Sequence, residues 1–532
     1  MKKTLAALLL LFCIFQHSFA GGIDVEIQLT ETPYKSGGKN GNSFEYIIGE
    51  TESEYLALRG TIAFFSYDYK IARYDKSTMN LLEVKPLFPK DYIKKGGIKP
   101  TYSWGINQYA DMFYYIFGYK SQKDDNITVY FQKLDAEGNT DGEPNQLVQA
   151  EFLKGKAGYF NGSYSYDSSK FLSVYEVPTK GKENQQYSFN VFNISDLSLV
   201  NQKEVELPFM DKDVTLIEYD VDNEGNVYGL VKIFDKPEKG SKEKANYIYR
   251  IYGFMKGSED VIEFDFENNT DKDVFLNSII LRIRNGVIYC SGFWGKKNPY
   301  NISGIYSLRL DSKNGSELAK DFYEFDDEFI KEFYTEKQAE KADKKGKELE
   351  LAQIKMDHFV INDDGTAFVV GEQSYEYEVC VTTRNGTYCY WVYVRNDVIA
   401  SKIDANGEIL WATKIPKKSQ YKNGVGPMSY HLQVKGNELY FIYYDHAENF
   451  DLVDPKKYDR VPVMFNKNTD LVCTKIDESG AKDKVLLYNY ADKTMNQLKA
   501  FPYQLQSMNL TEAVGEGMIK GNKRVLTRFV IR

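Results

Sequence analysis

Asp222-Asn223-Glu224-Gly225-Asn226 is followed at once by Val227-Tyr228-Gly229-Leu230-Val231-Lys232-Ile233-Phe234. The first five residues are turn chemistry, because short polar side chains bond their own backbone and glycine accepts positive φ. The next eight show no polar alternation. A strand with one wet face alternates, so this run predicts a strand buried on both faces. The same pairing of turn and apolar run recurs at Tyr109-Ala110-Asp111 before 112–118, at Tyr166-Asp167-Ser168-Ser169 before 171–175 and at Arg284-Asn285-Gly286 before 287–294. It appears again at Asp363-Asp364-Gly365 before 366–371 and at Lys435-Gly436-Asn437 before 439–444. The markers Asp111, Ser168, Gly225, Gly286, Gly365 and Gly436 lie 57, 57, 61, 79 and 71 residues apart.

Further turns at 135–139, 311–315, 404–407 and 477–480 make four strands per repeat. Four-stranded repeats of this length predict a β-propeller, whose stacked blades bury both faces of their inner strands. An outer-membrane barrel would need lipid-facing alternation, and Lys and Asp recur too often for that. Segments 500–506, 513–520 and 524–532 read as three strands without a fourth, while 61–68, 70–75 and 81–87 stand unpaired near the start. The expected fold is therefore all-β, a seven-bladed propeller whose ring is closed by N- and C-terminal strands; eight blades are the alternative if the N-terminal strands form their own sheet. The layout is a leader over 1–20, an irregular arm over 21–58 and a propeller over 59–532, with a helical insertion at 326–354 and a cysteine hairpin at 374–395.

Composition agrees with strands. Of 532 residues 15% are aromatic, with 42 Tyr and 33 Phe against 14 Pro, which disfavours a helical bundle and a disordered chain. The formal charge of -9 argues against nucleic-acid binding through a basic surface. Lys2-Lys3, the apolar run from Leu5 to Phe15, and Ser18-Phe19-Ala20 before Gly21-Gly22 read as a secretory signal peptide. No later stretch reaches the roughly 18 consecutive apolar residues of a membrane helix. The mature chain is thus expected to be exported, to the periplasm or the outer membrane and cell surface, without a transmembrane segment.

Beyond the leader stand four cysteines, Cys290, Cys380, Cys389 and Cys473, and an export compartment permits disulfides. Cys380 and Cys389 flank Arg384-Asn385-Gly386-Thr387. A four-residue loop sets the two opposite each other, whereas a tight Asn-Gly turn sets Cys380 opposite Trp391. A Cys380–Cys389 disulfide and two buried thiols both remain open. No Cys-x-x-Cys pair, phosphate-binding loop, Gly-x-Ser-x-Gly elbow or His-Glu-x-x-His helix occurs, so no metal, cofactor or named catalytic class is expected. His358 and His431 fall on innermost strands, where a structural role is expected. His446, beside Asp445 in a long loop, is the best general-base candidate, against the plainer reading of an exposed loop histidine. Trp294, Tyr375, Tyr377, Tyr443 and Tyr444 are candidate stacking platforms, against the plainer reading of blade packing.

The connections from second to third strand are long, at 119–125, 178–186, 235–246, 295–301, 374–395 and 445–460, and rich in Lys. They share one face with the loops leading into the next blade, and that face is expected to carry function, a basic one attracting an anionic partner. Within 326–354, twelve of the twenty residues from Lys331 to Glu350 are charged, which predicts helix. Phe325, Phe329 and Phe333 with Ile330 and Tyr334 form its apolar stripe, and Gly346 is expected to split it into two helices. Candidate partner-binding residues are Phe329, Phe333, Tyr334, Lys337, Lys341, Lys345, Trp294, Tyr444, Asp445 and His446.

Asp404-Ala405-Asn406-Gly407-Glu408-Ile409-Leu410-Trp411 resembles the tryptophan-docking repeat of quinoprotein-like propellers. The resemblance implies that Trp411 packs between neighbouring blades; it does not imply a quinone, since Asp477-Glu478-Ser479-Gly480 lacks the matching Trp. In leader, composition and turn style the chain also resembles secreted propeller-like proteins of Gram-negative, Bacteroidota-type bacteria. The expected function is a non-catalytic binding or scaffold propeller contacting an envelope or surface protein, for example as an accessory of an outer-membrane secretion or surface complex. The alternative is a carbohydrate-binding or carbohydrate-active propeller. The expected partner on the long-loop face is accordingly a protein or a surface glycan.

Overall fold

The computed structural model describes residues 23–532 except 36–42, 64–65, 89–96, 99, 122, 154–155, 157, 180–181, 236–245, 266–273, 297–300, 346–348, 385, 423–426, 453–456, 458–460 and 463–464. The turns do what their residues dictate. Asp222 Oδ1 accepts the backbone N–H groups of Glu224 at 3.1 Å and Asn226 at 2.7 Å, and Gly225 sits at φ +96°. A Cβ on Gly225 would also meet Val200 Cγ1 at 2.6 Å, so two independent constraints select glycine there.

The described strands form eight antiparallel sheets of at least four strands, in chain order, and one two-stranded sheet that pairs Asn301–Ile302 with Leu351–Ala352. Sheet one holds Ser43–Glu50, Glu54–Ala63, Ser66–Asp75 and Leu81–Pro86; sheet two Tyr102–Tyr109, Met112–Ser121, Asn126–Leu134 and Thr140–Glu151. Sheet three holds Tyr159–Tyr164, Lys170–Glu176, Asn184–Asn193 and Leu199–Met210; sheet four Val214–Val221, Val227–Asp235, Asn246–Phe254 and Val261–Asp265. Sheet five has a broken first strand, Val274–Leu276 and Ile280–Arg284, then Val287–Lys296, Gly304–Asp311 and Glu317–Glu324. Sheet six holds Ile354–Ile361, Ala367–Thr383, Gly386–Ile403 and Ile409–Ile415; sheet seven Tyr430–Lys435, Glu438–His446, Thr469–Ile476 and Lys482–Asn489. Sheet eight orders Gln506–Ser507, Glu512–Ile519, Lys523–Ile531 and then Val25–Leu29 from the other end of the chain.

Eight apolar cores join these sheets in a cycle. Leu56 and Ile71 meet Phe113 and Phe117; Ile116 and Phe131 meet Phe160 and Phe171; Leu172 and Phe189 meet Val227 and Val231. Leu230 and Ile251 meet Leu281 and Ile288; Phe293 and Ile305 meet Val369 and Ile399; Phe368 and Val370 meet Phe441 and Tyr443. Ile442 and Cys473 meet Ala513 and Phe529, and Val514 and Leu526 pack back on Tyr55 and Ala57 of sheet one. The second strand of sheet seven shows why its sequence lacks alternation. Leu439, Phe441 and Tyr443 face sheet six, while Tyr440, Ile442 and Tyr444 face sheet eight.

Eight sheets of at least four strands match the alternative expected when the N-terminal strands form their own sheet, and strands lie within 21–58, where an irregular arm was expected. Val25-Glu26-Ile27-Gln28-Leu29 does alternate, and it supplies the fourth strand of sheet eight, with Val25 opposite Ile531. Phe44 and Ile47 bury against the same seam, and their strand completes sheet one. The Gly- and Asn-rich run between them hid both strands. At the seam Arg59 Nη1 meets Glu516 Oε2 at 2.7 Å, with 4% and 2% of the side chains exposed. Tyr34 Oη donates to the same carboxylate at 2.5 Å, and Arg59 also donates to Tyr74 Oη at 2.8 Å.

The first strands stand side by side around the centre. Ile106 N–H donates to Tyr46 Oη at 2.7 Å, Asn107 Nδ2 to Tyr164 Oη at 3.0 Å, and Ile283 N–H to Asp220 Oδ2 at 3.0 Å. Between sheets six and seven, Trp411 Nε1 donates to the Glu478 carbonyl at 3.0 Å, and a Cβ on Gly480 would lie 3.0 Å from the Trp411 ring. Trp411 thus packs on the turn of the next sheet.

Candidate functional site: the face around sheet six

The two central strands of sheet six are 17 and 18 residues long, against at most 12 elsewhere among the described strands. Pairing with the first strand ends at Ile354↔Gln373 and with the fourth at Val398↔Ile415. Beyond those points Ser374 to Thr383 pairs only with Gly386 to Arg395, and the short strand Gln420–Lys422 touches Val392 to Val394. A two-stranded ribbon therefore leaves the ring on the long-loop face. Thr383 pairs with Gly386, a register one position ahead of one centred on the Asn-Gly pair. That shift sets Cys380 opposite Cys389, joined in a disulfide, and sets Trp391 opposite Glu378. Cys290 and Cys473 are buried free thiols, and burial pushes the Cys473 thiol up to about 12.

The ribbon alternates two faces. One carries Tyr375, Tyr377, Val379 and Val381 with Tyr388, Tyr390, Val392 and Val394; the other carries Glu376, Glu378, Cys380 and Thr382 with Thr387, Cys389, Trp391 and Tyr393. Tyr377 is 43% exposed, Tyr388 61%, Trp391 45% and Tyr421 39%. Of these, sequence reasoning singled out Tyr377 alone. The signal for the rest was partial, since 375–379 alternates apolar and acidic residues whereas 388–394 is apolar throughout.

A buried ionic network roots the ribbon. Lys417 Nζ meets Glu372 Oε1 at 2.8 Å and donates to the Arg395 carbonyl at 2.7 Å. Lys414 Nζ lies 3.3 Å from Asp397 Oδ2, which Lys418 reaches at 3.2 Å, and burial pulls the Lys414 ammonium below its usual range. Lys414 also donates to the Glu332 carbonyl and lies 4.5 Å over the Phe333 ring, tying in the helical insertion.

That insertion has two short helices, α1 (Asp327–Lys331) and α2 (Glu336–Asp343). The break falls at 332–335, because Thr335 and Gln338 form a reciprocal capping box that starts a new helix; Gly346 lies outside the described residues. Phe329, Phe333 and Tyr334 pack on the core between sheets five and six, with Phe325 and Phe329 4.6 Å apart, so they anchor the insertion to its own ring. Lys337, Lys341 and Lys345 are exposed.

Four candidate residues are corrected from surface to interior. Trp294 is buried and donates to the carbonyls of Ile305 at 3.2 Å and Tyr323 at 3.3 Å; Tyr444 is buried against Tyr488 Oη at 3.1 Å. Asp445 accepts from Lys484 Nζ at 2.6 Å and from Asn449 Nδ2 at 2.9 Å. His446 is buried at a strand end, and its Nδ1 accepts the Glu448 N–H at 3.1 Å, which leaves this nitrogen no part as a surface base. Of the Lys-rich loops, Lys180, Lys236, Lys239, Lys242, Lys244, Lys297 and Lys456 lie outside the described residues, and Lys296 is paired with Glu324 at 2.5 Å.

At the centre of the ring, Tyr164, Ile217, Glu218, Asp220, Arg282 and Phe359 line a cavity of about 690 Å³. Sequence reasoning missed these groups, which come from four separate sheets. Desolvation pushes Asp220 up to about 6, yet both its oxygens accept backbone N–H groups, from Val221 at 2.9 Å and Ile283 at 3.0 Å. Glu218 accepts from Arg282 at 3.2 Å. These carboxylates hold adjacent sheets together.

His431, also central, is held at about 4 by burial, against a weaker opposing bond to Gln433 at 3.3 Å. Its folded value lies below the unfolded 6.5, so the unfolded chain binds the extra proton between these pH values. Stability should therefore fall as pH drops from 6.5 towards 4, by up to about 3 kcal/mol from this residue. Urea midpoints at pH 4.5 and 7 for wild type and His431→Gln measure it; equal pH dependence in both would refute it.

Sheets and cores together define a β-propeller with its projections gathered on one face. No family model matches the chain, and no curated protein matches it. Among solved structures it is similar to the β-propeller domain of the Trilobed protease from Pyrococcus furiosus, at 10% identity over 85% of this chain and 98% of that chain, with a TM-score of 0.35. It is similar to the WD40 domain of SCAP from fission yeast at 9% identity, over 95% and 98% of the two chains, with a TM-score of 0.35. For the Dos1 propeller the values are 9% identity, 94% and 95% coverage and a TM-score of 0.39. Likenesses this remote carry nothing about function, and the fold stands on its own sheets and cores. No helix among the described residues is long and apolar enough to cross a membrane.

Proposed function

We propose that this protein is an exported, non-catalytic binding propeller that contacts another envelope or surface protein, as an accessory of an outer-membrane secretion or surface complex. The observation that carries this reading is the disulfide-tied ribbon, which leaves a rigid ring with large exposed side chains on both faces. A buried ionic network supports the ribbon at its root.

Shortening the ribbon by joining Ser374 to Arg395 through Asn-Gly should abolish cross-linking to a partner in the native envelope and leave the urea midpoint near wild type. A reproducible partner retained by the shortened chain would sink the reading. Cys380→Ser with Cys389→Ser should change ring stability by no more than about 0.5 kcal/mol, because the bridge ties the ribbon beyond its last pairing with the first and fourth strands of sheet six and crosses no core. A larger fall in the urea midpoint would show that the ribbon supports the cores. A carbohydrate-binding role is favoured only by Trp391 and Tyr421 being exposed near each other, and a glycan array on wild type and Trp391→Ala decides it.

A further inference from the structure

Glu378 stands directly opposite Trp391, Glu376 opposite Tyr393, and Tyr393 opposite Tyr421 on the neighbouring short strand. Residues paired this way point to the same side of the pleat. Two carboxylates and three aromatic rings therefore share one side of the ribbon. Both glutamates are exposed, and neither has an ion-pair partner among the described residues. Two cations at the base of the ribbon are engaged elsewhere. Lys422 lies opposite Val392, hence on the other side, 4.6 Å over the Tyr390 ring, and Arg395 lies 3.8 Å from Glu372. Glu378 also sits beside the two sulfurs, but these are consumed by their disulfide and offer no metal ligand.

The outer edge of 374–383 has no neighbouring strand among the described residues. An exposed edge pairs with an extended chain. Unpaired carboxylates beside aromatic ring faces attract ammonium and guanidinium groups and repel acidic ones.

We infer that the side of the ribbon bearing Glu376, Glu378, Trp391 and Tyr421 docks an extended Lys- or Arg-bearing segment of a partner protein. This rests on the binding role proposed above and deepens it. The disulfide across Cys380 and Cys389 holds the carboxylates and rings in register, so little ordering is left to the moment of docking. The sign is opposite to that expected of the Lys-rich loops.

The test uses two blocked decapeptides, alternating Lys-Thr and alternating Glu-Thr, titrated into the full chain at low and high salt. The Lys peptide should bind, with affinity falling as salt rises. Glu376→Gln with Glu378→Gln should weaken it by about fivefold, and Trp391→Ala by about threefold. All three sites are exposed, and unchanged urea midpoints would show that the variants are folded. No binding of the Lys peptide to wild type, equal binding to the double variant, or equal binding of the Glu peptide overturns the inference. Envelope cross-linking separates it from the broader role: a partner lost on shortening the ribbon but kept by the double Glu→Gln variant refutes the cationic segment alone, while a partner kept by both refutes the broader role too.

Discussion

Glu516→Ala should cost about 3–5 kcal/mol, because it leaves the Arg59 guanidinium buried with its charge uncompensated. Arg59 sits in sheet one and Glu516 in sheet eight, and the two are almost wholly shielded from water. Tyr34 and Arg524, at 3.2 Å, lean on the same carboxylate, so its removal orphans donors from both ends of the chain. The loss should be local before it is global. The seam should open first, and limited proteolysis should cut near Val25–Leu29 before any other sheet. Replacing the pair together with apolar residues of similar size should recover most of the loss, since a buried ion pair contributes little beyond its own desolvation. A single Glu516→Ala chain with an unchanged urea midpoint would contradict this account of closure.

Phe441→Ala should cost about 3–5 kcal/mol, the range for truncating a fully buried aromatic side chain. Phe441 lies on the second strand of sheet seven, packed with Phe368 and Val370 of sheet six and with Tyr430, 5.4 Å between centroids. Both sheets are held from behind by other cores, so neither can collapse into the vacated space, and the cavity term stays large. The comparison that isolates this is Leu486→Ala, on the outer strand of the same sheet and only partly buried, which should cost less than half as much in the same urea titration. Equal losses would mean that the core between sheets six and seven is not tightly packed.

What was legible in the chain followed from local chemistry. Gly225 and its Asp222 announce a turn, and the unbroken apolar run after them announces a strand between two sheets. For Trp411 it was the resemblance of 404–411 to a propeller repeat that implied packing between blades, and its ring lies on the turn of the next sheet. Where context beyond a few residues decides, reading failed. Trp294, Tyr444, Asp445 and His446 looked like loop-edge groups because their strands end just there, yet each is buried, Asp445 and His446 among partners of their own sheet and the loop that follows. Val25–Leu29 pairs with residues about five hundred positions away, and no periodicity can reveal such a partner. Glu218 and Asp220 meet Arg282 and Ile283 only because two first strands stand side by side. The apolar stripe of the insertion was visible, but not whether it would face a partner or its own ring, which depends on the Lys414 network.

The pairing of Val25–Leu29 with Lys523–Ile531 also orders events during biosynthesis. A ribosome makes the first of these strands about five hundred residues before its mate, so that strand waits with both edges bare while seven sheets form. Thr30, whose hydroxyl accepts the Leu526 N–H at 2.7 Å, has the same delay. The newborn chain is thus a row of sheets with one sticky strand until Lys523–Ile531 has emerged, and products truncated before it should self-associate through that strand. In the finished molecule the Arg532 N–H donates to the Asp24 carbonyl at 2.9 Å. With these two residues in contact, a short linker could join them and new termini could be placed at any exposed turn, so that the ring would no longer depend on the last strand made.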